Sequence, residues 1–240
     1  MKKYNFKIAI YIIIGFINTP AITQNLNVSG IFPTVDHSGK ISTKLDYSLY
    51  YFGAFPIINI NNPNIIKDSY FNLFYAEQAL TYKLNSNFSL TGSYLFQRAN
   101  VVYNNFVNEN RFYTQAKYKH SINKFNFTHR FRFDGRFIHD RIKKETPFTH
   151  RLRYQLGLDF SLSENLYFTA YEEVFFNTFK ASEKIFGENW AYVGVGKKIN
   201  EKNKIELGLL YITWNLNQKN WFNQFYGQIT WINNIDFQKK

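Results

Sequence analysis

Five arginines on two neighbouring stretches form the densest chemistry in this chain: Arg130, Arg132 and Arg136 on one, Arg151 and Arg153 on the next. Within each stretch they are separated by even numbers of residues. In an extended backbone, where side chains alternate between faces, each set therefore points one way. Asp134 and Asp159 share those parities, and Glu77 and Glu173 can reach the same space from other stretches. Guanidinium groups bind carboxylate and phosphate bidentately. The strip therefore predicts either a network of interior ion pairs or a constriction that draws anions through a residual channel.

Hydrolytic chemistry has thinner candidates. His139 and Asp140 stand at one end of the Arg-rich stretch, with Asp134 along the same wall and His150 at the start of the next. A rim-sited hydrolase would need that histidine and a carboxylate to share a proton path. No spacing of His, Asp and Glu matches a metal site, and Asp36-His37 is an isolated pair, so no metal and no cofactor are expected. Cysteine is absent. That removes disulfides, thiolate ligands, a cysteine nucleophile and a lipoprotein anchor.

Elements able to hold such a strip must suit an unusual composition. Of 240 residues, 26 are Phe, 18 Tyr and 4 Trp. That aromatic share exceeds what a soluble core needs and suits membrane strands with aromatic girdles. The formal charge of +12 raises the question of nucleic acid. No Lys/Arg block flanks a recognisable nucleic-acid module, so none is expected as a partner. Beyond the first two dozen residues no apolar run approaches the ~20 residues a spanning helix requires, which excludes a helical membrane protein.

Residues 1–23 read as a secretory signal peptide. Lys2 and Lys3 precede an apolar core from Phe6 to Ile17, and Pro20-Ala21-Ile22-Thr23 supplies small residues for cleavage before Gln24. Residues 24–39 then form a lead-in segment, and 40–237 alternate apolar with polar residues in stretches of ten or more. The clearest runs from Phe125 to Phe137. There Phe125, Phe127, Phe131, Phe133 and Phe137 share a face with His129, while Thr128, Arg130, Arg132, Asp134 and Arg136 take the other.

Ten strands are predicted: 40–52, 70–83, 88–98, 110–120, 124–137, 148–162, 166–177, 189–199, 204–216 and 221–237. Tight, turn-forming sequences fall at every second junction: Asn85-Ser86-Asn87, Ser121-Ile122-Asn123, Ser163-Glu164-Asn165 and Asn200-Glu201-Lys202-Asn203. Longer connections lie between them. This alternation predicts an up-and-down transmembrane β-barrel of the outer membrane of a Gram-negative cell, with short periplasmic turns and longer outer loops. Ten strands place both ends of the barrel at the periplasmic rim, and twelve form if the lead-in joins the sheet. A lumen of this size is largely filled by side chains.

On the last strand Phe225, Ile229, Trp231, Ile235 and Phe237 share one face, while Gln224, Tyr226, Gln228 and Thr230 share the other. An aromatic-ended amphipathic final strand predicts the outer-membrane insertion machinery as a partner. Outer-membrane lipid and lipopolysaccharide are further expected partners, the latter through Arg141, Lys143 and Lys144. Tyr50, Tyr51, Trp190, Trp214, Trp221 and Trp231 sit near strand ends and are expected to anchor at the interfaces. Of the adjacent acids Glu172 and Glu173, the second is expected inside with Tyr167, Tyr171 and Phe175, which leaves Glu172 outside.

The segments His150-Arg151-Leu152-Arg153-Tyr154-Gln155-Leu156, Tyr171-Glu172-Glu173-Val174-Phe175-Phe176-Asn177 and Trp190-Ala191-Tyr192-Val193-Gly194-Val195-Gly196 resemble the family of domain of unknown function 2490. The resemblance implies a small outer-membrane barrel of the kind found chiefly in Bacteroidota, and no activity. The residues themselves predict a non-enzymatic barrel with a charged lumen, acting as a narrow pore or as a structural or partner-binding component. The rim hydrolase is the alternative.

Overall fold

A computed structural model describes residues 26–59, 73–99, 106–139, 144–178, 185–217 and 220–236. These fold into eleven strands: β1 (Leu26–Lys40), β2 (Leu45–Asn59), β3 (Leu73–Lys83), β4 (Phe88–Ala99), β5 (Val107–Ile122), β6 (Phe125–His139), β7 (Phe148–Ser161), β8 (Leu166–Asn177), β9 (Phe186–Lys198), β10 (Asn203–Asn217) and β11 (Asn220–Asp236). Each pairs antiparallel with its neighbours in sequence, and β1 closes the barrel by pairing parallel with β11. The parallel seam follows from the count. In a meander the first and last strands of an odd set run the same way.

Two sequence expectations are corrected here. The segment 24–39 is no lead-in over its described part: from Leu26 it is the full-length strand β1, paired on one side with β2 and on the other with β11. Pro33 and two glycines, Gly30 and Gly39, disguise its periodicity. Both glycines are needed where neighbouring chains come close, because a Cβ on Gly30 would overlap the Phe55 carbonyl and one on Gly39 the Ile235 carbonyl. The strand read as starting at 40 begins instead at Leu45, after a turn over 41–44. The second correction concerns the rims. With eleven strands, Leu26 lies at the rim of the long connections and Asp236 at the rim of the short turns, so the two ends are opposed. The proposed signal peptide and Phe237 fall outside the described residues.

The short turns share a local device. Ser42, Asn85, Ser163 and Asn200 each accept a backbone N–H from the first residue of the following strand or from its immediate neighbour: Leu45 N at 3.0 Å, Phe88 N at 2.8 Å, Leu166 N at 3.2 Å and Asn203 N at 2.8 Å. Such side chains replace the backbone acceptor that a reversing chain lacks. The fifth turn uses Asn123 with φ of 54°, in the left-handed region that Asn tolerates.

Strand parity sorts the side chains into two environments. Leu209, Phe131, Phe112 and Ile229 stand 68%, 59%, 57% and 53% exposed on the outer surface. The buried side chains, including Phe32, Phe52, Leu95, Leu210, Tyr226, Asp134 and Glu173, fill the lumen. One apolar cluster inside draws Phe32 from β1, Phe52 and Ala54 from β2, Tyr75 from β3, Leu95 from β4, Tyr113 from β5, Tyr192 from β9, Leu210 and Ile212 from β10 and Tyr226 from β11. Members from most of the strands meet across the bore. Trp190 stands edge-on to both Phe32 and Phe52 at 6.3 Å between ring centroids.

Three of the expected interfacial anchors are therefore placed differently. Tyr50, Trp190 and Trp214 pack against this interior cluster, because their even numbers put them on the lumen face of β2, β9 and β10. Tyr51 and Trp231 do stand on the exterior.

Candidate functional site

The even-numbered face of β6 and the odd-numbered faces of β5 and β7 converge on one wall of the lumen. Asp134, 0% exposed, is its centre. Its Oδ2 accepts from Arg151 Nε at 3.1 Å and Nη2 at 3.0 Å, with Arg111 Nη1 and Arg153 Nη1 each at 3.7 Å. The pairs extend in both directions. Arg111 Nε donates to Glu109 at 2.7 Å, and Arg136 engages both oxygens of Glu109 at 2.7 and 2.8 Å. Arg151 Nη1 reaches Glu188 at 3.1 Å. Arg153 engages both oxygens of Glu173 at 2.8 Å, and Arg130 Nη2 meets the same carboxylate at 2.7 Å.

Arg132 is held differently. Its Nε and Nη2 donate to Gln115 at 3.0 and 2.8 Å, its Nη1 lies 3.6 Å from Glu77, and its guanidinium stacks 3.7 Å over the Tyr113 ring. Glu77 also accepts from the hydroxyls of Tyr75 and Tyr113. Phe175 is covered by the guanidiniums of Arg151 and Arg153 at 4.7 and 4.3 Å. Burying a guanidinium costs several kcal/mol in the absence of such partners. The bidentate pairs and the stacked rings offset that cost.

This charge balance decides what the wall can do. Six guanidiniums, Arg111, Arg130, Arg132, Arg136, Arg151 and Arg153, share five carboxyl groups, Glu77, Glu109, Asp134, Glu173 and Glu188. The strip that reads from sequence as strongly basic is nearly neutralised where it stands. Across the lumen from it, among the described residues, stands the aromatic cluster of Phe32, Phe52, Tyr75 and Tyr226.

Of the residues singled out from the sequence, Arg130, Arg132, Asp134, Arg136, Arg151, Arg153, Glu173 and Glu77 meet in this wall. Asp159 shares the inward face of β7 but joins no ion pair among the described residues. Glu172 points outward, where it accepts from Asn189 Nδ2 at 3.0 Å. Sequence reasoning missed Glu109, Arg111 and Glu188. Glu109 and Glu188 fall one residue outside the strand limits drawn at 110 and 189. The inward run Glu109, Arg111, Tyr113, Gln115, Lys117 was nevertheless there to be read with period two.

Among the described residues the hydrolytic candidates do not assemble. His139 lies on the outward face of β6, with Nδ1 3.0 Å from Thr146 Oγ1. His150, also outward, lies beside Thr178. Asp134 faces the other side of the wall, and Asp140 lies outside the described residues. Among the described residues no group of three or more His, Asp or Glu side chains is placed to hold a metal ion.

A second device lies toward the short-turn rim on the strands beside this wall, β8 to β10. Glu206 accepts from Tyr192 at 2.7 Å and Tyr167 at 3.0 Å. Those tyrosines lie flat against the sheet because Gly194, Gly196 and Gly208 have no Cβ to lift them. A Cβ on Gly196 would sit 2.0 Å from Tyr167 Cζ, and one on Gly208 would sit 2.4 Å from the Tyr192 hydroxyl. The segment Tyr192-Val193-Gly194-Val195-Gly196 thus alternates a ring and gaps on the lumen face with valines on the outer face.

No curated protein matches the chain. Among solved structures it is similar to an anion-selective porin from Comamonas acidovorans, with 11% identity and a TM-score of 0.35 over 78% of this chain. The chain spans 52% of that porin's length. The sequence profile described as "Protein of unknown function (DUF2490)" matches residues 38–223, from the end of β1 to the start of β11 and so across the whole charged wall. The chain belongs to the DUF2490 family.

Proposed function

We propose that this protein is an integral outer-membrane barrel with a non-enzymatic, structural or partner-binding role, closed to solutes by its own side chains. The observation that carries this reading is an inversion of the soluble pattern. Large apolar residues such as Leu209, Phe131 and Ile229 are exposed outside, while Asp134, Glu173, Arg111 and Arg151 are buried inside and paired. A soluble protein exposing so continuous an apolar belt would aggregate. Lipid satisfies that belt, and a closed barrel leaves no backbone edge unpaired within the hydrocarbon.

On this reading residues 1–23 are cleaved on export, the short turns face the periplasm and the long connections face outward with the first described residues of β1. Lipopolysaccharide and phospholipid are the surrounding partners. The outward aromatic face of β11, with Phe225 and Trp231, is the feature the insertion machinery would recognise.

Planar-bilayer recording of the refolded chain tests the closed state. Silence at physiological salt is the expected result. Stable unitary currents that favour anions and change in Arg132→Ala and Arg153→Ala would instead make the wall a channel lining. Fractionation with heat-modifiable gel mobility tests the location, and a soluble periplasmic product with boiling-independent mobility would overturn the barrel's placement.

A further inference from the structure

Just beneath the paired wall, toward the short-turn rim, the balance of charge fails. Lys117 on β5 and Arg130 on β6 are direct cross-strand partners on the lumen face. Like charges placed opposite each other on one face of a sheet repel. Arg130 spends Nη2 on Glu173, but its Nε is buried without a hydrogen-bond partner among the described residues. Lys117 makes no ion pair or hydrogen bond among the described residues. The charges acting on it most strongly are Lys119 on its own strand and Arg130 and Arg132 on β6, all positive. The acid facing it is Asp36, on β1 across the lumen, and Asp36 too forms no ion pair among the described residues.

The surroundings of this pair are short and polar. Ser89 is the partner of Lys117 on β4 and Gln155 the partner of Arg130 on β7. Thr128 and its partner Gly157 continue the lumen face toward the rim, and a Cβ on Gly157 would meet Thr128 only at an ordinary 3.6 Å. An ammonium group and a guanidinium N–H without partners among the described residues, on adjacent strands with hydroxyl and amide groups beside them, are the components of an anion site.

We propose that Lys117 and Arg130, with Ser89, Gln155 and Thr128 around them, bind a small oxyanion, phosphate or a carboxylate, in a blind vestibule entered from the short-turn rim. The site rests on the closed-barrel reading only for being blind. The anion takes Lys117 Nζ and Arg130 Nε as donors, and its charge removes the repulsion between them.

The test uses the full chain refolded into phosphatidylcholine vesicles, with inorganic phosphate as probe and chloride adjusted to hold ionic strength constant. Phosphate should raise the thermal midpoint saturably. In Lys117→Gln the apparent dissociation constant should weaken about tenfold or more, as loss of one charge-assisted hydrogen bond implies. Without phosphate, Lys117→Gln should be no less stable than the parent, because the variant relieves a like-charge contact. Lys204→Gln, which removes a cation from β10 instead, should leave phosphate binding unchanged. Acetate in place of phosphate separates a general oxyanion site from a phosphate-selective one, either of which upholds the proposal. No saturable effect, or an equal effect in Lys117→Gln, overturns it. A conducting barrel that still binds phosphate through Lys117 would remove the blind end and keep the site.

Discussion

The lumen has two walls built on opposite principles. Strands β5 to β8, with Glu77 reaching over from β3 and Glu188 from the start of β9, hold the charge as a continuous chain of pairs centred on Asp134. Strands β9 to β11, β1 and β2 are lined by Phe32, Phe52, Leu210, Ile212, Phe222 and Tyr226 and by neutral Thr34, Gln224, Gln228 and Thr230. The buried carboxylate of this second wall among the described residues, Glu206, is capped by tyrosine hydroxyls and not by a guanidinium. The parallel seam between β1 and β11 runs through the neutral wall. Closure thus lies among rings and neutral hydrogen bonds, with the exposed Lys40–Asp236 pair at its rim. The charged wall, where one missing partner strands several ions, is made only of antiparallel neighbours in sequence.

The sharpest break in this comparison is Asp134→Ala. It leaves Arg111, Arg151 and Arg153 around an empty centre and should cost about 3–5 kcal/mol in reversible urea unfolding from vesicles. A loss below about 1 kcal/mol would show that the wall relaxes or takes in water. Phe32→Ala breaks the other wall, where the ring stacks on Phe52 at 4.7 Å and lies 1% exposed. The expected cost is about 3–4 kcal/mol from lost burial and the cavity left behind, with no dependence on salt. Gly196→Val should cost about 1–3 kcal/mol, because its Cβ displaces Tyr167 and frees one oxygen of Glu206. Retained stability with unchanged near-ultraviolet dichroism from Tyr167 would contradict the flat-ring packing. The smallest effect belongs to the exposed Lys40–Asp236 pair at 3.4 Å across the seam. Lys40→Ala should change stability by less than about 1 kcal/mol, and less still at high salt.

These two walls were unequally legible in the sequence. The charged one announces itself, because arginines at even spacing between phenylalanines admit few placements in an extended chain. Its acids were harder to see, since Glu109 and Glu188 stand where polar loop sequence grades into strand, and parity alone does not mark that boundary. The neutral wall gave weaker signals. Trp190, Trp214 and Tyr50 satisfy an interfacial anchor as well as a lumen plug by type, and only the register shows which. Strand β1 was obscured by Pro33, Gly30 and Gly39, residues that normally argue against a strand interior. Here the glycines are required by the close approach of β2 and β11. The turns were the most legible feature, because Asn and Ser at the reversal supply the missing acceptor locally.

Whether β1 lies between β2 and β11 decides both the seam and the neutral wall, and a chain without native cysteine allows the question to be put directly. Ser38 and Asn234 are register partners across the seam, with Ser38 Oγ donating to Asn234 Oδ1 at 2.6 Å at the exposed rim. Ser38→Cys combined with Asn234→Cys should oxidise to a single intramolecular disulfide in the folded, heat-modifiable barrel, seen as faster mobility after boiling without reductant. Ser48→Cys on β2 combined with Asn234→Cys should not. A disulfide between 48 and 234, with 38 left free, would mean that β2 closes directly on β11 in a ten-stranded barrel and would contradict the account.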